Sequence, residues 1–381
     1  MDAATRPDAP LQSDWRAPEL AVIVPSFNER GNIAELFSRL TRALADIPFE
    51  VIVVDDNSPD GTADLVRDLA RTRANLRCIR RVGRRGLSSA VIEGMSATAA
   101  PYVAVIDADL QHDEAILPLM LAKAKAGDDI VVGTRYAAEG SVGEGLSKTR
   151  AAGSRLATRL SSLVTGKTLS DPMSGFFLMR RDEFDAVAAS LSDEGFKILL
   201  DIIVSAARRR AASGSPLRIG EVPYTFRPRH AGESKMSSLV AVQFLGLVVS
   251  KLSGGLLPTS FLLFGLVGGL GVVVHMTTLL LAHEALHFDF VWAQVLATVV
   301  AMTFNFALNN ELTYANKKLR GWRYLTGLAT FYAVCSIGAL ANVSVASWIY
   351  AYDGQFYLAG LLGVFMSVVF NYSVTRVFTW R

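Results

Sequence analysis

Beyond Leu256 the chain runs through four long apolar stretches, Leu256 to Ala282, Val291 to Leu308, Tyr324 to Tyr350 and Phe356 to Val374, none with an internal Lys or Arg. Each is long enough to cross a hydrocarbon core of roughly 30 Å as a helix. A helix closes its backbone hydrogen bonds within itself, which a bilayer demands. The sequence therefore predicts an all-α membrane domain of four transmembrane helices over 256–381. The connecting segments set its orientation. HEALHFD and AYDGQ carry no Lys or Arg, whereas NKKLRGWR holds Lys317, Lys318, Arg320 and Arg323, and Arg376 and Arg381 follow the last span. Basic loops face the cytoplasm, so both ends of this multi-pass chain are expected there.

The first two thirds read differently. Up to about Lys251, short Val/Ile runs alternate with charged helical stretches, the pattern of a soluble α/β domain. We place a flexible tail at 1–18, which lacks an apolar signal region, the α/β domain at 19–236, and an amphipathic helix in the headgroup layer at 237–255. The net charge of +3 and the absence of a basic aromatic motif argue against nucleic acid as a partner. Cys78 and Cys335 are the only cysteines, which excludes a disulfide framework or a cysteine zinc site.

Within the soluble part, YVAVIDADLQH ends a buried strand in Asp107 and Asp109, with Gln111 two residues on. If the extended backbone persists, its alternation brings all three side chains to one spot. Two carboxylates and an amide oxygen suit Mg²⁺ or Mn²⁺ carried in on a diphosphate. LAVIVPSFNE from Leu20 and FEVIVVDDNSPDGT from Phe49 are two further strands, each followed by a helical stretch. Repeated strand, loop and helix predict a parallel sheet with ligands beyond the carboxyl ends of its strands. Glu29, Asp55, Asp56, Asp107 and Asp109 would converge there.

Two short motif matches are rejected. DNSPDG opens like a calcium loop at Asp56, but its twelfth position is Arg67 and not Glu. No glycine-rich dinucleotide or P-loop signature is present. HEALH, His283 to His287, matches a zinc-hydrolase pattern, yet it falls at a span end with only Asp289 nearby as a third ligand. An internal repeat is retained: FNFALNNELTY, Phe304 to Tyr314, is similar to FNYSVTRVFTW, Phe370 to Trp380. It predicts two helical hairpins of like design, with Asn305, Asn309 and Asn371 packing between helices.

Taken in order, VPSFNE, VVDDNSPDGT, DADLQH, GTRY, SDPMSGFF, GFKILLDI and RHAGESK resemble the family 2 glycosyltransferases, and within them the dolichyl-phosphate or polyprenyl-phosphate mannose synthases. The resemblance spans about Leu20 to Lys235, and the tail resembles the GtrA-like membrane domain. Phe27 departs from the family's usual Tyr, keeping a ring and losing a hydroxyl. The resemblance implies a GT-A, Rossmann-like catalytic domain facing the cytoplasm. It implies that Pro25, Phe27, Glu29, Val54 and Asp56 hold the nucleoside, and that Asp107, Ala108, Asp109 and Gln111 hold diphosphate and metal. Arg135, Arg229 and Lys235 match the remaining substrate contacts. Arg135, Arg150 and Ser154 are expected at the acceptor phosphate, Arg150 and Ser154 lying four residues apart on one helical face. Arg135 and Arg229 join Asp107 and Asp109 as the expected catalytic residues. The implied reaction moves mannose from GDP-mannose to dolichyl or polyprenyl phosphate with inversion. UDP-glucose is the alternative donor, because no residue reads as selecting guanine over uracil.

Overall fold

A computed structural model of the chain describes residues 17–135, 169–172, 174–192, 198–227, 258–353 and 356–380. They fall into two compact units divided near Glu233. Arg150, Ser154, Arg229, Lys235 and the expected interfacial helix lie outside the described residues.

Among the described residues, the first unit has seven strands: β1 (Leu20–Ser26), β2 (Phe49–Asp55), β3 (Leu76–Arg80), β4 (Tyr102–Val105), β5 (Ile130–Thr134), β6 (Phe177–Arg180) and β7 (Ile219–Pro223). They form one sheet in the order β3-β2-β1-β4-β6-β5-β7. β3, β2, β1 and β4 run parallel, with Leu20 beside both Phe49 and Tyr102. β6 runs antiparallel to β4 and β5, while β5 and β7 are parallel. The sheet is therefore mixed, against the parallel one expected. Before β6 the chain lies at the carboxyl end of β5, where Ser174 Oγ donates to the carbonyl of Gly133. From there the chain enters the sheet at the edge it left, and must run backwards.

Strand alternation divides the core. Leu20, Val22 and Val24 pack beneath α1 (Arg30–Ala43), against Ile33, Leu36, Phe37 and Leu40. Ala21 and Ile23 face Ala90, Val91 and Met95 of α3 (Leu87–Ser96). Helices α2 (Thr62–Ala70), α4 (Leu117–Lys125), α5 (Arg181–Val187) and α6 (Ile198–Ala212) complete the layers. Each large aliphatic side chain so buried contributes about 1.5–3 kcal/mol.

The second unit is helical: α7 (Thr259–Leu280), α8 (Phe290–Glu311), α9 (Trp322–Asp353) and α10 (Phe356–Phe378). Three of its helical spans, Ser260–Ala285, Phe290–Glu311 and Trp322–Ile349, are long and apolar enough to cross a membrane. The last helix offers a shorter apolar run, Leu362–Phe378. The internal repeat is structural. Tyr314 and Trp380, which end its two copies, each donate a backbone N–H five residues back, to Asn309 and Thr375. Their rings stack 4.1 Å apart. Asn305 of α8 packs on Gly271 of α7, and Asn371 of α10 on Gly338 of α9. Asn309 is buried, and its Oδ1 accepts from Thr313 Oγ1 just past the end of α8. HEALH ends α7 in a π turn, Leu281–Ala285, with His283 Nδ1 3.0 Å from the carbonyl oxygen of Phe288.

Candidate active site

Parallel pairing of β1, β2 and β4 brings their carboxyl ends to one sheet edge, and three non-glycine residues there adopt left-handed backbone. Asn28, Asn57 and Leu110 have φ of 59°, 56° and 64°. Asparagine tolerates this region, whereas a leucine pays about 1–3 kcal/mol for it. Leu110 also ends the simple expectation for the acidic loop. β4 stops at Val105, so Asp107, Asp109 and Gln111 are arranged by a turn and not by strand alternation.

That turn is held from several sides. Gln111 N–H donates to Asp109 Oδ1 at 3.2 Å, and the Gln111 amide nitrogen donates to the carbonyl of Arg227 at 3.2 Å. Arg227 N–H returns a bond to the Gln111 carbonyl at 2.9 Å, and its guanidinium grips Asp113 and Glu114 at 2.7 and 2.9 Å. Asp109 is buried, while the Asp107 side chain keeps 39% of its surface exposed. The Asp107 carboxylate lies against Gly175, where no side chain stands in its way.

His112 closes the loop underneath. Its Nδ1 accepts the Asp107 N–H at 3.3 Å, and its Nε2 is 3.8 Å from Asp107 Oδ2. The ring stacks on Phe176 at 5.3 Å and meets the edge of Tyr224 at 5.8 Å. Burial pushes its pKa down to about 4, against the pull of Asp109, so the ring is neutral near pH 7. Burial likewise pushes the Tyr224 phenol up. The buried Tyr224 hydroxyl has no hydrogen-bond partner among the described residues.

The nucleoside side is built around β1 and β2. Pro25 pairs with Val54 across them. The side chain of Val54 is wholly buried in the core, so any contact it makes with a nucleoside falls to its main chain. Phe27 is half-buried. Glu29 accepts from Asn32 at 2.8 Å and its N–H bonds Thr62 Oγ1. Asp55 turns inward to Ser26 and Ser58. Asp56 is held by Arg81 at 2.7 Å, itself buried and bonded to Ser89, with Glu93 at 3.2 Å. Ala108 is buried between the two acids. At the end of β5, Arg135 forms a two-pronged pair with buried Asp171, at 2.7 and 3.0 Å, and lies over the Phe226 ring at 5.2 Å.

The residues that sequence reasoning missed are His112, Arg81, Arg227, Asp171 and Gly175. His112 stood inside DADLQH, and Asp171 and Gly175 inside SDPMSGFF. Arg81 carried no signal among its neighbouring arginines.

The family models read this mixed sheet with carboxylates at its parallel edge, joined in one chain to apolar helices, as a membrane glycosyltransferase. Residues 21–187 match the family model for glycosyl transferase family 2, and 263–380 that for the GtrA/DPMS transmembrane domain. Dolichol-phosphate mannosyltransferase of Pyrococcus furiosus is 32% identical over 365 residues, 95% of this chain and 99% of that protein. The protein of the same name from Saccharomyces cerevisiae is 36% identical over 231 residues, 60% of this chain and 84% of its own. Glucosyl-3-phosphoglycerate synthase from Mycobacterium tuberculosis, a solved structure, aligns at TM-score 0.46 and 18% identity over 61% of this chain and 79% of that one. The chain belongs to glycosyl transferase family 2, and within it to the dolichol-phosphate mannosyltransferase family.

Proposed function

We propose that the chain transfers mannose from GDP-mannose to a polyprenyl phosphate such as dolichyl phosphate, with inversion, at the cytoplasmic membrane face. The observation that carries this reading is the gathering at one sheet edge of the Asp107–Asp109 turn and the Arg135 guanidinium. Such a site accepts two anionic substrates, a nucleoside diphosphate and a phosphate monoester. The choice of mannose and of a dolichol-type acceptor follows the names of the relatives. A fourth membrane span, α10, and the basic segment from Lys317 to Arg323 on the cytoplasmic side complete the reading.

The residues fit a divalent cation. Among the described residues, no group of three or more His, Cys, Asp and Glu side chains forms a complete cage. A site of two carboxylates and an amide is instead finished by substrate phosphate and water, the usual habit of Mg²⁺. The Gly175 cradle leaves room for the Asp107 carboxylate. Asp107, Asp109 and Gln111 would hold Mg²⁺ or Mn²⁺, which would offset the negative charge of the leaving diphosphate.

The acceptor is its own nucleophile. A phosphate monoester with a second pKa of about 6 is largely dianionic at pH 7 and needs no general base. The chain must hold it behind the anomeric carbon against charge repulsion. Arg135, braced by Asp171, presents a fixed cationic fork for that purpose. Pro25, Phe27, Glu29 and the Arg81-held Asp56 orient the nucleoside, with Val54 contributing main chain only. Arg150, Ser154, Arg229 and Lys235 are proposed to complete the phosphate contacts. A single in-line displacement then turns an α-linked donor into a β-linked lipid product.

Incubating purified protein with one polyprenyl phosphate and a panel of labelled nucleotide sugars tests this. Label should pass to the lipid extract from GDP-mannose, as the β-anomer. Transfer from UDP-glucose alone would replace the donor assignment, and no labelled lipid from any donor would end the transferase reading.

A further inference from the structure

We propose that His112 is a positioning residue for Asp107, holding that carboxylate toward the cation through a ring whose one proton is fixed on Nε2. The proposal rests on the divalent-cation reading above. Its first support is the place of the ring beside Asp107. Nδ1 takes the Asp107 N–H at 3.3 Å, so its lone pair is used as an acceptor and the ring proton must sit on Nε2. That N–H lies 3.8 Å from Oδ2. One imidazole thus bonds the main chain of Asp107 and stands next to its carboxylate at a distance beyond a hydrogen bond.

The second support is that the ring has nowhere to turn. It lies nearly parallel to Phe176, with 15° between planes, and the edge of Tyr224 and the tilted ring of Phe226 enclose it. The third is the space beside the carboxylate at Gly175, which any side chain there would fill. His112 and Gly175 both border Asp107 Oδ2. A histidine that merely filled the core would spend its nitrogen on any nearby main chain. This one spends it on the residue whose side chain it faces. Partners behind a metal ligand typically change metal affinity by about 10–100-fold when removed.

The test uses the full chain in detergent, with Mn²⁺ titrated in the presence of GDP and, in a parallel series, of UDP, free Mn²⁺ being read by electron paramagnetic resonance. His112→Phe keeps the stacked ring and loses both nitrogens. It should bind Mn²⁺ about 10–100-fold more weakly than the parent chain while still unfolding cooperatively. His112→Asn restores an acceptor near the position of Nδ1 and should recover part of that loss. A folded His112→Phe chain with parental Mn²⁺ affinity overturns the proposal. Should His112→Phe not fold, the ¹⁵N shifts of the His112 ring in the parent chain decide: a proton on Nε2 supports the assignment, and one on Nδ1 overturns it. A parent chain that binds no Mn²⁺ with either nucleotide rejects the cation reading itself, before any substitution is made.

Discussion

Gly175 lies so close to Asp107 that a β-carbon built on it would stand 2.8 Å from Oδ2. The atom it meets is the far end of a side chain, so Gly175→Ala is accommodated by turning the carboxylate and not by moving the sheet. The cost should appear in function. We expect Gly175→Ala to raise the metal concentration needed for half-maximal turnover by about tenfold, with thermal stability nearly unchanged. Metal saturation curves measure this, and superimposable curves would remove Gly175 from the site.

Asp109→Ala takes away a buried carboxylate at the sheet edge and should abolish most turnover. A metal ligand is worth several kcal/mol of charge stabilisation, or about 100-fold or more in rate. The loop's other ties, from His112 and from Arg227, remain, so the far-ultraviolet circular dichroism should match the parent chain. Comparable activity in the purified variant with metal present would reject the assignment.

The Arg135–Asp171 pair separates stability from catalysis. Asp171 is 1% exposed, so Arg135→Ala strands a buried charge, at a cost of about 3–5 kcal/mol. Adding Asp171→Ala removes that charge and should restore much of the stability. It should not restore turnover, because the cationic fork is still absent. Denaturation and kinetic measurements on the two variants decide, and recovery of turnover in the double variant would make Arg135 structural only.

Much of this was legible because β1, β2 and β4 announce themselves: apolar runs that end in acidic or turn residues, with the first two beginning at Leu20 and Phe49. The turn after Val105 was not, since period-two reasoning has no term for a leucine at φ 64°. Nor was the reversal of β6, a four-residue strand whose antiparallel pairing with β4 and β5 joins segments far apart in sequence. Pairings such as Asp171 with Arg135 join residues far apart in sequence, and no local pattern records them. The membrane repeat was legible because two copies of one motif must solve one packing problem.

His112 makes a signed prediction about acid. Its folded pKa is depressed to about 4 by burial, against about 6.5 for an unfolded histidine. Between these values the unfolded chain takes up a proton that the folded chain refuses, so stability falls as pH falls from 6.5 to 4 and is level above. The total is roughly 3 kcal/mol. Denaturant titrations of the parent chain and His112→Phe, compared across this window, isolate the effect from carboxylates common to both. A constant difference between them would contradict it.

In the membrane unit, a β-carbon on Gly338 would lie 2.0 Å from Asn371 Oδ1, and one on Gly271 would lie 2.2 Å from Asn305 Oδ1. Neither amide oxygen has a conventional hydrogen-bond partner among the described residues, so each rests on the glycine backbone, where a weak Cα–H donor is available. Such small-residue contacts let helices approach closely where no hydrophobic effect drives them together. Gly338→Ala should therefore pry α9 from α10 and lower the melting temperature of the detergent-solubilised chain. Asn371→Ala alone should cost less, since it removes a polar group along with its contact. The double variant should be more stable than the sum of the two losses allows, because the methyl group then occupies the space the amide vacated. Strict additivity would show that the two residues do not share that space, and would break the equivalence between the two hairpins.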